Sequence, residues 1–142
     1  MPYPEQLVAP MRAELSTLGV KELKTAADVD AFMADKKGSA MIIVNSVCGC
    51  AAGGCRPAIK IALQSAVKPD RVGTVFAGQD TEATQRARSY FSDIPPSSPS
   101  IALLKDGELV DFVPRHAIEG RDPKTIAADL TKAFQEYFAA AK

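Results

Sequence analysis

The chain has 142 residues, 46% of them apolar and 24% charged, which is the length and composition of one globular domain with a real core. Seventeen Lys and Arg offset seventeen Asp and Glu, so the basic excess of a nucleic-acid module is absent. The longest uncharged stretch, residues 38–55, is interrupted by Asn45, Ser46 and glycines and falls short of the ~20 apolar residues of a membrane span.

Leu7, Met11, Leu15 and Leu18 share one helical face and Gly19 ends the run. This gives an N-terminal helical extension over residues 1–19, with Pro10 inside it. Val20–Lys24 is a short strand candidate. Thr25 caps a helix predicted from Ala26 to Lys37, with Asp28 in its first turn and Val29, Phe32 and Met33 inward. Gly38 closes it. Met41–Val44 is an unbroken apolar run, the pattern of a strand buried on both faces. After a cysteine-rich segment, Pro57–Ala66 reads as helix. Lys68-Pro69-Asp70 is a turn, Arg71–Phe76 a strand, and Asp80 or Thr81 caps a helix to about Phe91. Ser100–Lys105 and Glu108–Val113 are strands joined by Asp106-Gly107, a strong hairpin signal. Asp122-Pro123 opens a last helix, along which Ile126, Leu130, Ala133, Phe134, Tyr137 and Phe138 recur at helical spacing.

The order is α, then β-α-β-α-β-α, then a hairpin, then α. Strands separated by single helices pair in parallel through right-handed crossovers, and the hairpin adds antiparallel strands. The predicted class is α/β: a mixed central sheet with helices on both faces and an extra N-terminal helix. Chemistry in such sheets gathers beyond the carboxyl ends of the strands, where Cys48 falls.

All three cysteines lie between Cys48 and Cys55. They are too few for a disulfide scaffold. Glu5 and two prolines precede any apolar run, unlike a secretory signal, so the cluster points to redox or metal chemistry. Cys48-Gly49-Cys50 joins the buried strand to a helix. Unpaired backbone N–H groups and the helix dipole there favour thiolate, the reactive form. Gly49 permits the contortion that pairing Cys48 with Cys50 needs. The small ring of a Cys-x-Cys disulfide is strained, labile and oxidising. Cys48 is assigned as the attacking nucleophile and Cys50 as the group that resolves the mixed disulfide. The alternative from another class is a zinc or iron–sulfur carrier with Cys48, Cys50, Cys55 and His116 as ligands. The spacing Cys-x-Cys-x4-Cys lacks the usual Cys-x2-Cys pairs.

Four further segments, together with the cysteine loop Val44–Gly53, extend the pattern over most of the chain. They are Val75–Asp80, Pro96–Ser100 with Ala102-Leu103-Leu104, Arg115-His116, and Ile118-Glu119-Gly120. With these the sequence resembles the bacilliredoxins, thioredoxin-like bacterial proteins that carry Cys-Gly-Cys. The resemblance implies one thioredoxin-like domain over residues 1–142, cytoplasmic, with no cofactor or bound metal. It implies a thiol–disulfide oxidoreductase that reduces mixed disulfides between protein cysteines and a low-molecular-weight thiol such as bacillithiol. Protein disulfide isomerase is the alternative. The partners implied are thiolated or disulfide-bonded proteins and the small thiol, with neither nucleic acid nor membrane. Cys48 and Cys50 carry over as the catalytic pair, and Ser98-Pro99 as a cis-proline substrate-binding element, where sequence alone allows trans. Thioredoxin helices bend at a later proline, which Pro57 fits, although Gly53-Gly54 also allow a start at Pro57. Cys55 departs from the family pattern and is read as a core residue; it, Gly49 and Arg56 remain as accessory candidates. Arg56 is the electrostatic candidate beside the cysteines. His116 is read as a local loop residue and Asp80 as a helix cap. No counterpart of the thioredoxin buried acid is evident.

Overall fold

A computed structural model describes residues 3–139; residues 1–2 and 140–142 of the expected 1–142 span lie outside the described part. The elements follow the predicted order: α1 (Glu5–Ser16), β1 (Lys21–Glu22), α2 (Ala26–Ala34), β2 (Ser39–Asn45), a π-helical turn (Ala51–Cys55) running into α3 (Arg56–Ala62), β3 (Arg71–Phe76), α4 (Thr81–Ser89), β4 (Ser100–Lys105), β5 (Glu108–Val113) and α5 (Pro123–Phe138). The strands lie in the order β1-β3-β2-β4-β5. The pairs β1–β3 and β3–β2 are parallel, whereas β2–β4 and β4–β5 are antiparallel. This is the mixed sheet predicted, with β2 at its centre.

All seven residues of β2 are buried, and they alternate between two cores. Met41 and Ile43 face α3 and α5 with Ile59, Ile101, Leu103, Leu130 and Phe134. Ala40, Ile42 and Val44 face α2 and α4 with Val29, Phe32, Val75 and Ala87. A strand covered on both faces needs no polar alternation, which is why it reads as one apolar run. Full burial of Phe134 alone contributes about 1.5–3 kcal/mol.

Local signals explain most boundaries. Thr25 and Asp28 form a reciprocal capping box at α2. Asp122 accepts from the Thr125 N–H at the start of α5, where Pro123 loses no helical bond. Asp106 and Gly107 both have positive φ, 51° and 85°, as a two-residue hairpin turn requires.

Four readings need correction. α2 ends at Ala34, not Lys37, because the Asp35 side chain accepts from the Lys37 N–H and turns the chain out of the helix. α1 buries Val8, Arg12 and Leu15, while Leu7 is 48% exposed. Apolar periodicity mislaid that face because a charged residue occupies it. Arg12 donates to both carboxylate oxygens of Asp80 at 2.7 and 3.0 Å and to Glu5 at 2.9 Å, over the ring of Phe76. Asp80 therefore stands at the N-cap position of α4 without capping it, and α4 ends at Ser89 instead of near Phe91. Finally, the helix predicted from Pro57 to Ala66 is already helical at residue 49 and ends at Ala62. Gly54 belongs in that helix through contact, not propensity: a Cβ there would lie 3.2 Å from Ile126 Cδ1 and 3.4 Å from Ile118 Cγ2. The π turn is closed by the Arg56 N–H donating to the Ala51 carbonyl. Pro57, which has no N–H, sits where the register returns to α.

Candidate active site

β2 delivers the chain to the end of the sheet at Asn45, and Ser46 through Cys50 form the turn into the helix. The Cys48 carbonyl accepts from the N–H groups of Ala51 and Ala52 at 3.1 and 3.2 Å, so Cys48 stands at the head of the helical segment. Its own N–H donates to Ser46 Oγ at 3.2 Å. Beneath this turn lies Arg56, 2% exposed. Its Nη1 donates to Asn45 Oδ1 at 2.9 Å and to the Ser46 carbonyl at 2.7 Å, and its Nε donates to Glu14 of α1 at 3.0 Å. Asn45 Oδ1 also accepts from the Ser46 N–H at 2.8 Å. A buried guanidinium with carbonyl, amide and carboxylate acceptors is satisfied, and it fixes the turn from below. The sequence reading of Arg56 as the charge beside the sulfurs is thus corrected: its hydrogen bonds go to the Ser46 carbonyl, Asn45 and Glu14.

The arginine that faces the sulfurs comes from the other end of the chain. Arg115 Nη2 donates to Cys50 Sγ at 3.8 Å and to Glu119 Oε2 at 3.4 Å, while Nη1 donates to the Ser98 carbonyl at 3.3 Å. Cys50 Sγ in turn donates to Glu119 Oε2 at 3.9 Å. Arg115 thereby ties the cysteines to the loop holding Ser98 and Pro99. The Ser98–Pro99 peptide is cis, and Ser100 pairs with Val44, which sets Pro99 beside the end of β2. Sequence spacing held no sign of Arg115 or Glu119 here; only the shared segments Arg115-His116 and Ile118-Glu119-Gly120 marked them. His116 is exposed and lines a cavity of about 430 Å³ with Ile94, Pro96, Ser97, Phe112 and Pro114, alongside the cis-proline loop.

The three thiols differ in acidity. Burial opposes ionisation of Cys48, but the Ser46 hydroxyl, the N–H groups of Ala51 and Cys50, and the charge of Arg115 outweigh it and lower its pKa from the usual 9.0. Cys50 is pushed up, by burial first and then by the Cys48 sulfur, with Arg115 opposing. Cys55 is wholly buried in the core with Ile59 and Ile126, and burial pushes it up to about 12. The four-ligand metal set is not assembled: among the described residues no three His, Cys, Asp or Glu side chains are grouped to hold an ion. Gly49 has no positive φ, and a Cβ there would meet nothing, so the free-thiol form does not itself require glycine.

Comparison with known proteins gives the family and the fold. Residues 3–138 match the sequence family described as "Disulphide isomerase". A bacilliredoxin of Cytophaga hutchinsonii is 54% identical over 134 residues, covering 94% of this chain and 98% of that one. A bacilliredoxin of Bacillus licheniformis is 53% identical over 136 residues, covering 95% and 94%. Among solved structures, the oxidised thioredoxin of Plasmodium falciparum superposes with a TM-score of 0.57 at 18% identity, over 84% of this chain and 99% of that one. The thioredoxin of Fasciola hepatica gives 0.54 at 19%, over 83% and 99%.

A thioredoxin fold with two thiols one residue apart at the head of a helix, in a chain half-identical to bacilliredoxins, defines a thiol–disulfide oxidoreductase. The chain belongs to the disulphide isomerase family, that of the bacilliredoxins. Among the described residues no helix is long and apolar enough to cross a membrane.

Proposed function

We propose that the protein reduces mixed disulfides between protein cysteines and a low-molecular-weight thiol, bacillithiol being the case that the family resemblance implies. Cys48 attacks the small thiol's sulfur and the protein thiolate departs. Cys50 then attacks Cys48, the Cys48–Cys50 disulfide forms, and the small thiol leaves as thiolate. The two electrons that reduce the substrate come from the two cysteines. Ser98 and cis-Pro99 hold the substrate backbone. The setting is the cytoplasm, where thiols are kept reduced, and residues 1–142 act as one domain. The observation that carries this reading is the lowered pKa of a partly exposed Cys48 at the head of a helix.

Activity of Cys48→Ala, Cys50→Ala and Cys55→Ala on a thiolated protein tests it, with trapped adducts mapped by mass. Cys48→Ala is inactive, Cys50→Ala accumulates the small thiol on Cys48, and Cys55→Ala stays close to wild type. An adduct on Cys50 in the Cys48→Ala variant, with activity retained, overturns it. The description of the matched family favours a second reading, protein disulfide isomerase. It predicts recovery of a scrambled disulfide protein by the Cys50→Ala variant, because a single attacking thiol suffices to shuffle bonds.

A further inference from the structure

We propose that Glu119 takes the proton from Cys50 as Cys50 attacks the mixed disulfide on Cys48, and that Arg115 positions both groups. This rests on the roles of Cys48 and Cys50 set out above.

The short 3-10 turn Arg115–Ala117 builds the pair. Glu119 N–H donates to the Arg115 carbonyl at 2.8 Å, so side chains 115 and 119 come to one side of the turn. Ile118, 1% exposed, pins the turn into the core shared with Cys55 and Ile126. Cys50 Sγ then sits between a donor and an acceptor: Arg115 Nη2 at 3.8 Å and Glu119 Oε2 at 3.9 Å. Glu119 is the one carboxylate hydrogen-bonded to a cysteine sulfur among the described residues. No buried Asp or Glu exists there to act from beneath, since the buried charged side chains are Arg12 and Arg56. Cys50 is protonated at rest and must lose its proton to attack.

The step balances. The S–H proton of Cys50 passes to Glu119 Oε2, and the Cys50 sulfur forms its bond to Cys48 Sγ. The bond from Cys48 to the substrate sulfur breaks, its electron pair leaving with the thiolate, which takes up a proton from water or from Glu119. Arg115, bonded to Cys50, to Glu119 and to the Ser98 carbonyl, keeps base, thiol and substrate loop in register.

Charge alone makes the opposite prediction. A spectator carboxylate beside Cys50 disfavours its thiolate, so removing it would hasten resolution. The two roles therefore differ in sign. Reduced protein is mixed with 2,2′-dithiodipyridine, a neutral disulfide that releases one thiopyridone when Cys48 attacks and a second when Cys50 resolves the adduct. In Glu119→Gln the first phase stays within about threefold of wild type. The second, independent of reagent concentration, slows about tenfold at neutral pH, a modest effect for a general base because a thiol also ionises unaided. Glu119→Ala shows the same split. The deficit vanishes at alkaline pH, where Cys50 is already thiolate; the other groups facing it are Cys48, which titrates lower, and Arg115, which stays charged. A second phase that is unchanged or faster overturns the role of Glu119. A first phase that leaves no adduct on Cys48 in the Cys50→Ala background overturns the functional reading instead.

Discussion

Two arginines approach the cysteine loop from opposite sides, and the contrast separates holding a site from tuning it. Arg56 lies under the loop, sealed from water, and its hydrogen bonds end on Asn45, the Ser46 carbonyl and Glu14. Arg115 lies over the loop with its side chain 43% exposed, and it touches Cys50, Glu119 and the Ser98 carbonyl. The same guanidinium fixes backbone geometry when buried and screens thiolate charge when exposed. The thiols divide likewise: Cys55 beneath is held neutral by burial, and Cys48 above is drawn toward ionisation.

The largest test of that division uses alkali. An unfolded Cys55 ionises near 9.0, and the folded one at about 12. Above pH 9 the unfolded chain therefore binds fewer protons than the native one, and stability falls as pH rises toward 12. This one group accounts for a loss of about 4 kcal/mol across that window. Urea unfolding of wild type and Cys55→Ala at a series of pH values measures it, and the wild type must show the steeper decline.

Arg56→Ala comes next. It strips donors from Asn45 Oδ1 and the Ser46 carbonyl and leaves a void, at a cost of about 3 kcal/mol in urea unfolding. Should the loss stay below about 1 kcal/mol, the underside is not what holds the loop.

Arg115→Gln has the reverse profile. Its unfolding midpoint stays at the wild-type value, but the pH midpoint for alkylation of Cys48 by iodoacetamide moves up, because a positive charge favouring the thiolate is gone. At neutral pH the reaction slows several-fold. The smallest effect belongs to Glu14→Gln. Glu14 is half exposed, so its ion pair with Arg56 is worth roughly 0.5 kcal/mol. A larger loss would make α1 a principal support of the site.

Legibility in the sequence followed the range of the interactions. The hairpin β4–β5 and the strand β3 were read to the residue, since turn chemistry and apolar runs are local. β2 needed only its ends, Ser39, Ala40 and Asn45, added to the apolar run. The inward face of α1 was misread because Arg12 is buried by partners from Glu5 to Asp80, 68 residues away. The start of the cysteine helix was misplaced because Gly54 is held by Ile118 and Ile126, contacts that no helix propensity records. Cys48 and Cys50 were visible as a site from the strand, the glycine and the helix around them. Arg115 and Glu119 were not: they meet Cys50 across 65 and 69 residues, and only the fold brings them there.

The π turn gives the helix one residue more than a regular spiral would hold between Cys50 and Arg56. In an α-helix each residue advances the azimuth by about 100°. Winding the same residues as a regular α-helix would therefore rotate everything before the turn by about that angle relative to everything after. The sulfurs would swing out of phase with the basic and acidic side chains above them while α3 kept its seat. The wide turn thus acts as the angular setting of the two sulfurs.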